Sequence, residues 1–173
     1  MHNSLLLIIT ICITFILNIY GQSFDITELA ALQAFADASS NFGTDWGTNW
    51  DFNTPSHPCE DNWQGITCND ENISITAIDL YSEDIIGTIV PELGDLSNLQ
   101  HLILDDNQLT GSIPSELGNL SNLVYLYLQN NQLTGSIPSE LGNLSNLLSC
   151  FLGNVNYFDN CDTIDTSVTD LCS

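Results

Sequence analysis

The chain has 173 residues and contains no lysine and no arginine. That absence removes whole classes of chemistry. There is no lysine for a P-loop, a kinase site or a Schiff base, and no arginine to clamp a phosphate or carboxylate. Against this stand 22 Asp and Glu and a net charge of −22, so nucleic acid and anionic lipid surfaces should repel the chain. Ion pairs are restricted to the three histidines and the α-amine. The folded state must therefore tolerate self-repulsion, which salt or divalent cations would relieve. No Cys-x-x-Cys or His-x-x-x-His spacing occurs, so no zinc site is implied.

Long apolar runs are equally scarce. Only residues 5–19 form one, close to the length of a signal-peptide core and short for a bilayer span. Gly21 is a suitable small residue before a cleavage point, although the segment ahead of the run lacks the usual positive charge. Residues 1–21 are read as a signal peptide, giving a secreted mature chain that does not span a membrane. Cys12 leaves with that leader. Five cysteines remain, and export permits disulfides. Cys59 and Cys68, nine apart in a turn-rich stretch, are expected to pair, as are Cys161 and Cys172. Cys150 then stays a buried thiol, with a bridge from Cys150 to Cys161 as the alternative.

What is abundant is repetition. Leu-Thr-Gly-Ser-Ile-Pro-Ser-Glu-Leu-Gly-Asn-Leu-Ser-Asn-Leu at residues 109–123 returns unchanged at 133–147, and a weaker copy fills 85–99. A unit of this length cannot bury its apolar face alone and must stack on its neighbours. Aligned copies place Leu99, Leu102, Leu104 and Leu109 over Leu123, Leu126, Leu128 and Leu133, facing inward. Asn107 and Asn131 fall where the chain leaves each strand and should form an internal hydrogen-bonded ladder. Glu83 and Val155 end it. Ahead of the repeats, Asp25 and Glu28 read as a capping arrangement. The helix they open carries Leu29, Leu32, Phe35 and Ala36 on one face. Trp46, Trp50 and Trp63 are expected to cover the open end of the stack.

The strand pattern L-x-x-L-x-L-x-x-N-x-L followed by Leu-Thr-Gly-Ser-Ile-Pro resembles the plant-type leucine-rich repeat. Pro58-Cys-Glu-Asp-Asn-Trp-Gln-Gly-Ile-Thr-Cys68 is similar to the N-terminal cap of the same family, whose members include receptor-kinase ectodomains and polygalacturonase-inhibitor-like proteins. The resemblance implies an α/β repeat fold: a short right-handed solenoid with a parallel β-sheet on its concave face and a helical, disulfide-bonded cap. The expected divisions are 22–74 for the cap, 75–147 for three repeats of 24 residues, and 148–173 for a degraded fourth repeat and C-terminal cap. The first repeat departs from the pattern, since its proline moves one place to Pro91.

Function should then lie in the columns of side chains that point outward from the concave sheet. One column reads Asp79, Ile103, Tyr127, Phe151, and another Ala77, His101, Tyr125, Ser149. Beside them run Tyr81, Asp105, Gln129 and Ser82, Asp106, Asn130. Aromatics facing solvent lack a core reason for being there. The ligand-binding candidates are therefore Asp79, Tyr81, His101, Asp105, Asp106, Tyr125, Tyr127, Gln129 and Phe151. Such a face suits a protein, peptide or cell-wall glycan. Four strands ~4.8 Å apart and five residues at ~3.3 Å each give only a few hundred Å². That is below the ~800 Å² per partner of a stable interface, so a second copy or a co-receptor would have to complete a tight contact.

Two further columns repeat strictly. Glu92, Glu116 and Glu140 are weak candidates for Ca²⁺, since flexible glutamates alone do not build a cage. With the hydroxyls of Thr88, Ser112 and Ser136 they support an alternative role as a matrix protein that binds Ca²⁺, ice or mineral. Asn72, Asn119 and Asn143 each open a glycan acceptor motif. Catalysis is not expected, because Asp105 and Asp106 sit on an open sheet with no pocket to split their acidities. No cofactor is implied.

Overall fold

The structure is a computed structural model that describes residues 25–40, 50–52 and 58–152. The expected leader, Trp46, Val155, the pair Cys161 and Cys172, and the end of the degraded repeat lie outside the described residues. No helix among the described residues is long and apolar enough to cross a membrane.

Helix α1 (Ile26–Asp37) begins where Asp25 caps it, its carboxylate accepting the Thr27 N–H at 2.9 Å. Glu28 does not complete a capping box. It is 2% exposed and accepts the Ile75 N–H at 2.8 Å, so it ties the helix to the first strand of the array. Burial raises its pKa above the ordinary value, the Ile75 N–H pulls the other way, and the Asp25 charge raises it further. Ala31, Leu32, Phe35 and Ala36 are buried, and Leu29 packs partly against the same core. Trp50 and Trp63 stack with centroids 5.6 Å apart, and Phe52 meets Trp63 edge-on at 4.9 Å. Trp50 and Trp63 are buried in the core that the repeats share, and Phe52 packs against it. Cys59 and Cys68 are disulfide-bonded across a Cα separation of 5.7 Å.

The cap contributes more than a lid. Its strand β1 (Ile66–Cys68) pairs antiparallel with β2 (Ile75–Asp79). From β2 onward the concave sheet is parallel, continuing through β4 (His101–Ile103), β6 (Tyr125–Tyr127) and β8 (Ser149–Phe151). Among the described residues the sheet has five strands, one antiparallel, where the repeat alone implied a wholly parallel sheet. A second, parallel sheet also forms, from β3 (Ile86–Thr88), β5 (Gln108–Gly111) and β7 (Gln132–Leu133). Each coil then closes through a 3₁₀ helix, at Pro91–Asp95, Ser115–Asn119 and Ser139–Asn143. The shifted proline of the first repeat sits inside its 3₁₀ helix, whereas Pro114 and Pro138 sit at the N-caps of theirs. Proline's fixed φ suits both positions, and the helix begins there regardless.

The coils stack closely at these 3₁₀ helices. A Cβ on Gly94 or Gly118 would lie 2.3 or 2.4 Å from the backbone oxygen of Glu116 or Glu140, so only glycine fits. Between the layers Leu80, Leu93, Leu96, Leu99, Leu102, Leu104, Leu117, Leu120, Leu123, Leu126 and Leu128 are fully buried. Each contributes about 1.5–3 kcal/mol by leaving water. Cys150 replaces one of these leucines. It is a buried free thiol, pushed to a pKa well above the ordinary range by desolvation.

The asparagine ladder forms as expected. Asn107 is buried, and its Oδ1 accepts the Glu83 and Ile85 N–H groups at 3.2 and 2.9 Å. Its Nδ2 donates to the carbonyls of Leu80, Leu104 and Asp105 at 2.8, 2.9 and 3.1 Å. Asn131 repeats the pattern, accepting from Leu109 N–H at 2.9 Å and donating to Leu104 and Leu128 at 2.9 and 3.0 Å. A second ladder of Asn122 and Asn146 runs along the outside, each donating to the serine carbonyl of the preceding coil, Ser97 at 2.8 Å and Ser121 at 2.7 Å.

Candidate binding face

Parallel pairing in register brings the outward columns together. His101 lies opposite Tyr125, and Tyr125 opposite Ser149; Asp79 lies opposite Ile103, Ile103 opposite Tyr127, and Tyr127 opposite Phe151. Because side chains alternate along a strand, Tyr125 and Tyr127 share one face. The rings make a diagonal chain: His101 to Tyr125 at 4.9 Å, Tyr125 to Tyr127 at 6.0 Å, and Tyr127 to Phe151 at 5.2 Å. All three ring pairs are tilted rather than stacked. His101, Tyr125 and Tyr127 are half-buried, and Phe151 is 37% exposed.

The acidic neighbours divide. Asp79 is exposed, and its carboxylate accepts the Tyr81 N–H at 3.3 Å; Tyr81 itself is 56% exposed. Asp106 accepts from Asn130 Nδ2 at 3.2 Å. Asp105, by contrast, is only 7% exposed. One of its oxygens, Oδ2, accepts from Gln129 Nε2 at 2.9 Å on the next coil. The other, Oδ1, has no hydrogen-bond partner, and neither does Gln129 Oε1. Burial raises the Asp105 pKa; its own backbone N–H lowers it, and the charges of Asp106 and Asp79 raise it again.

The glutamate column lies elsewhere, on the 3₁₀ helices. Glu92, Glu116 and Glu140 are exposed, and Glu116 and Glu140 accept from their preceding serine hydroxyls at 3.2 and 3.3 Å. No group of His, Cys, Asp and Glu able to hold a metal ion occurs among the described residues. Asn72, Asn119 and Asn143 are exposed, Asn72 in the turn between β1 and β2 and the other two at the ends of 3₁₀ helices. Sequence columns located the aromatic residues and Gln129. They did not reveal that Asp105 is buried beneath its neighbours, since an outward register says nothing of how far flanking side chains close over it.

Stacked coils of this geometry, with an asparagine ladder and a helical disulfide-bonded cap, define a leucine-rich-repeat solenoid. Residues 25–69 match the family model of the leucine rich repeat N-terminal domain, and residues 98–120 and 122–144 match that of the Leucine Rich Repeat. The chain belongs to the plant-type leucine-rich-repeat family. A probable LRR receptor-like serine/threonine-protein kinase of Arabidopsis thaliana is 41% identical over 89 residues, which cover 51% of this chain and 13% of that protein. Among solved structures, the PEPR1-AtPEP1 complex aligns over 72% of this chain and 17% of that chain, with 31% identity and a TM-score of 0.66. The Arabidopsis receptor kinase HAESA in complex with the peptide hormone IDA and the co-receptor SERK1 aligns over 72% of this chain and 21% of that chain, with 27% identity and a TM-score of 0.61. The chain thus spans a small part of each relative.

Proposed function

We propose that this chain is a secreted, non-catalytic binding module that recognises a peptide or an extended protein segment through its concave face. The carrying observation is the diagonal of four rings, His101, Tyr125, Tyr127 and Phe151, on the solvent side of a sheet whose other side forms the core. Rings in such a place add contact area at little entropic penalty. The structural relatives favour the same reading, since HAESA was solved with a peptide hormone and a co-receptor. The proposed organisation is a leader at 1–21, a cap at 22–74, three repeats at 75–147 and a terminal unit at 148–173.

The small face sets the affinity. A few hundred Å² supports a weak contact, which a co-receptor or a second copy would strengthen. The chemistry opposes an enzyme, because Asp79 is exposed, Asp106 is engaged by Asn130 and Asp105 is buried against Gln129, so no pair is arranged to act as acid and base. The test is a pull-down from the extracellular fraction with the full chain, beside a Tyr125→Ala/Tyr127→Ala variant whose melting curve matches. Partners retained by the wild type and lost by the variant support the concave site. Equal retention by both rejects it.

A further inference from the structure

Resting on the concave-face reading, we infer that Asp105 and Gln129 form a subsite for an arginine side chain of the bound segment. Two oxygens on adjacent coils, Asp105 Oδ1 and Gln129 Oε1, are closed off from solvent without a hydrogen-bond partner, so an incoming group reaches them only as the flanking side chains part. Their parent groups are held together by the 2.9 Å bond from Gln129 Nε2 to Asp105 Oδ2. Buried acceptors left unsatisfied are uncommon, because each forfeits its hydration without replacement. A ligand that restores them must be all donor. The guanidinium is such a group, and its planar fork can address two oxygens together.

Charge and surroundings point the same way. Asp79 and Asp106 raise the negative potential around Asp105. The chain itself has no lysine or arginine to supply a cation here. The rings begin two residues away. Tyr127, the last residue of β6, lies two residues before Gln129, and its own ring is joined to Tyr125 and Phe151. A guanidinium at Asp105 would therefore border an aromatic surface, where Arg gains cation–π attraction as well as ion pairing. The occupant is then an extended segment with an arginine beside apolar or aromatic residues. A metal ion is a poorer fit, because the described residues provide no cluster of ligands for one. A proton on Oδ1 that donates to Gln129 Oε1 is the competing way to satisfy the pair.

The test is selection from a random linear peptide library at neutral pH and near-physiological salt, with the full chain as bait. Selected peptides are then titrated against Asp105→Asn, against Glu116→Gln, which removes one charge from a different part of the coil, and against Tyr125→Ala/Tyr127→Ala. The account expects arginine to dominate one position of the selected peptides. Affinity should fall about tenfold or more in D105N, as for a lost charge-assisted pair, and stay within about twofold in E116Q. An Arg→Lys peptide should bind more weakly. Peptides that lose binding in the tyrosine variant but show no arginine preference and no loss in D105N would overturn the arginine subsite while leaving the concave face intact. Equal losses in D105N and E116Q would overturn it in favour of bulk charge, and Ca²⁺-dependent binding in favour of a metal. Peptides unaffected by the tyrosine variant would refute the concave reading itself.

Discussion

Replacing Asn107 by alanine should be among the most damaging single changes in the array. Its carboxamide serves five backbone groups of two coils: two N–H groups of Glu83 and Ile85, and the carbonyls of Leu80, Leu104 and Asp105. Nδ2 carries two hydrogens, so one is shared between Leu104 and Asp105, and about four bonds count fully. At about 1 kcal/mol net each, the loss is about 4 kcal/mol, since the site is buried and little water can replace the side chain. Asn131 offers a built-in control. It accepts only from Leu109, makes two good donations and is half-buried, so Asn131→Ala should lose about 2 kcal/mol. Both fall within the ~5–15 kcal/mol of a typical domain and can be measured by urea unfolding. Fluorescence of Trp50 and Trp63 would report the cap, and far-UV circular dichroism the array. A loss below about 1 kcal/mol for N107A, or a loss for N131A as large as for N107A, would refute the ladder as a main source of coil-to-coil stability.

Stacking predicts that Gly118→Ala destabilises by about 1–3 kcal/mol because its Cβ would meet the Glu140 backbone oxygen, whereas Gly142→Ala, with no described atom within 4 Å, should be tolerated; thermal melts of the pair check this. Leu126→Ala should lose about 2–5 kcal/mol in urea unfolding, as a fully buried leucine whose cavity the stacked coils cannot close. Glu28 has a raised pKa in the fold, so between its unfolded and folded pKa values the native state binds more protons and stability falls as pH rises. Stability of the wild type relative to Glu28→Gln should thus decline as pH climbs from about 4 toward neutrality, read by urea midpoints across that range. With a net charge of −22, added NaCl should raise the melting temperature, and CaCl₂ at matched ionic strength should raise it no further.

The periodic parts of this molecule were legible because the repeat states them twice. Leu102 and Leu126 carry the same burial, and Asn107 and Asn131 share the equivalent partners Ile85 and Leu109, Leu80 and Leu104, and Leu104 and Leu128, since each copy meets the same neighbour 24 residues away. The aromatic diagonal followed from the same register. What escaped reading arose where unlike segments meet. Strand β1 joins the sheet because the cap must satisfy the free edge of β2, a need that appears only once the array has a beginning. Glu28 left its capping role because it lies over the Ile75 N–H in space, 47 residues on in sequence. The second sheet was hidden in Leu-Thr-Gly-Ser, which reads as turn until three copies stack and pair. The burial of Asp105 depends on the side chains around it, which an outward register does not state.

The most direct measurement of the central claim is tyrosine nitration with and without a selected peptide, read by mass spectrometry. Tyr125 and Tyr127 are half-buried and Tyr81 is exposed, so all three should be modified in the free chain. The account predicts that peptide binding protects Tyr125 and Tyr127. Nitration of those two residues at an unchanged rate under saturating peptide would contradict it, because the partner would then be seated on another surface.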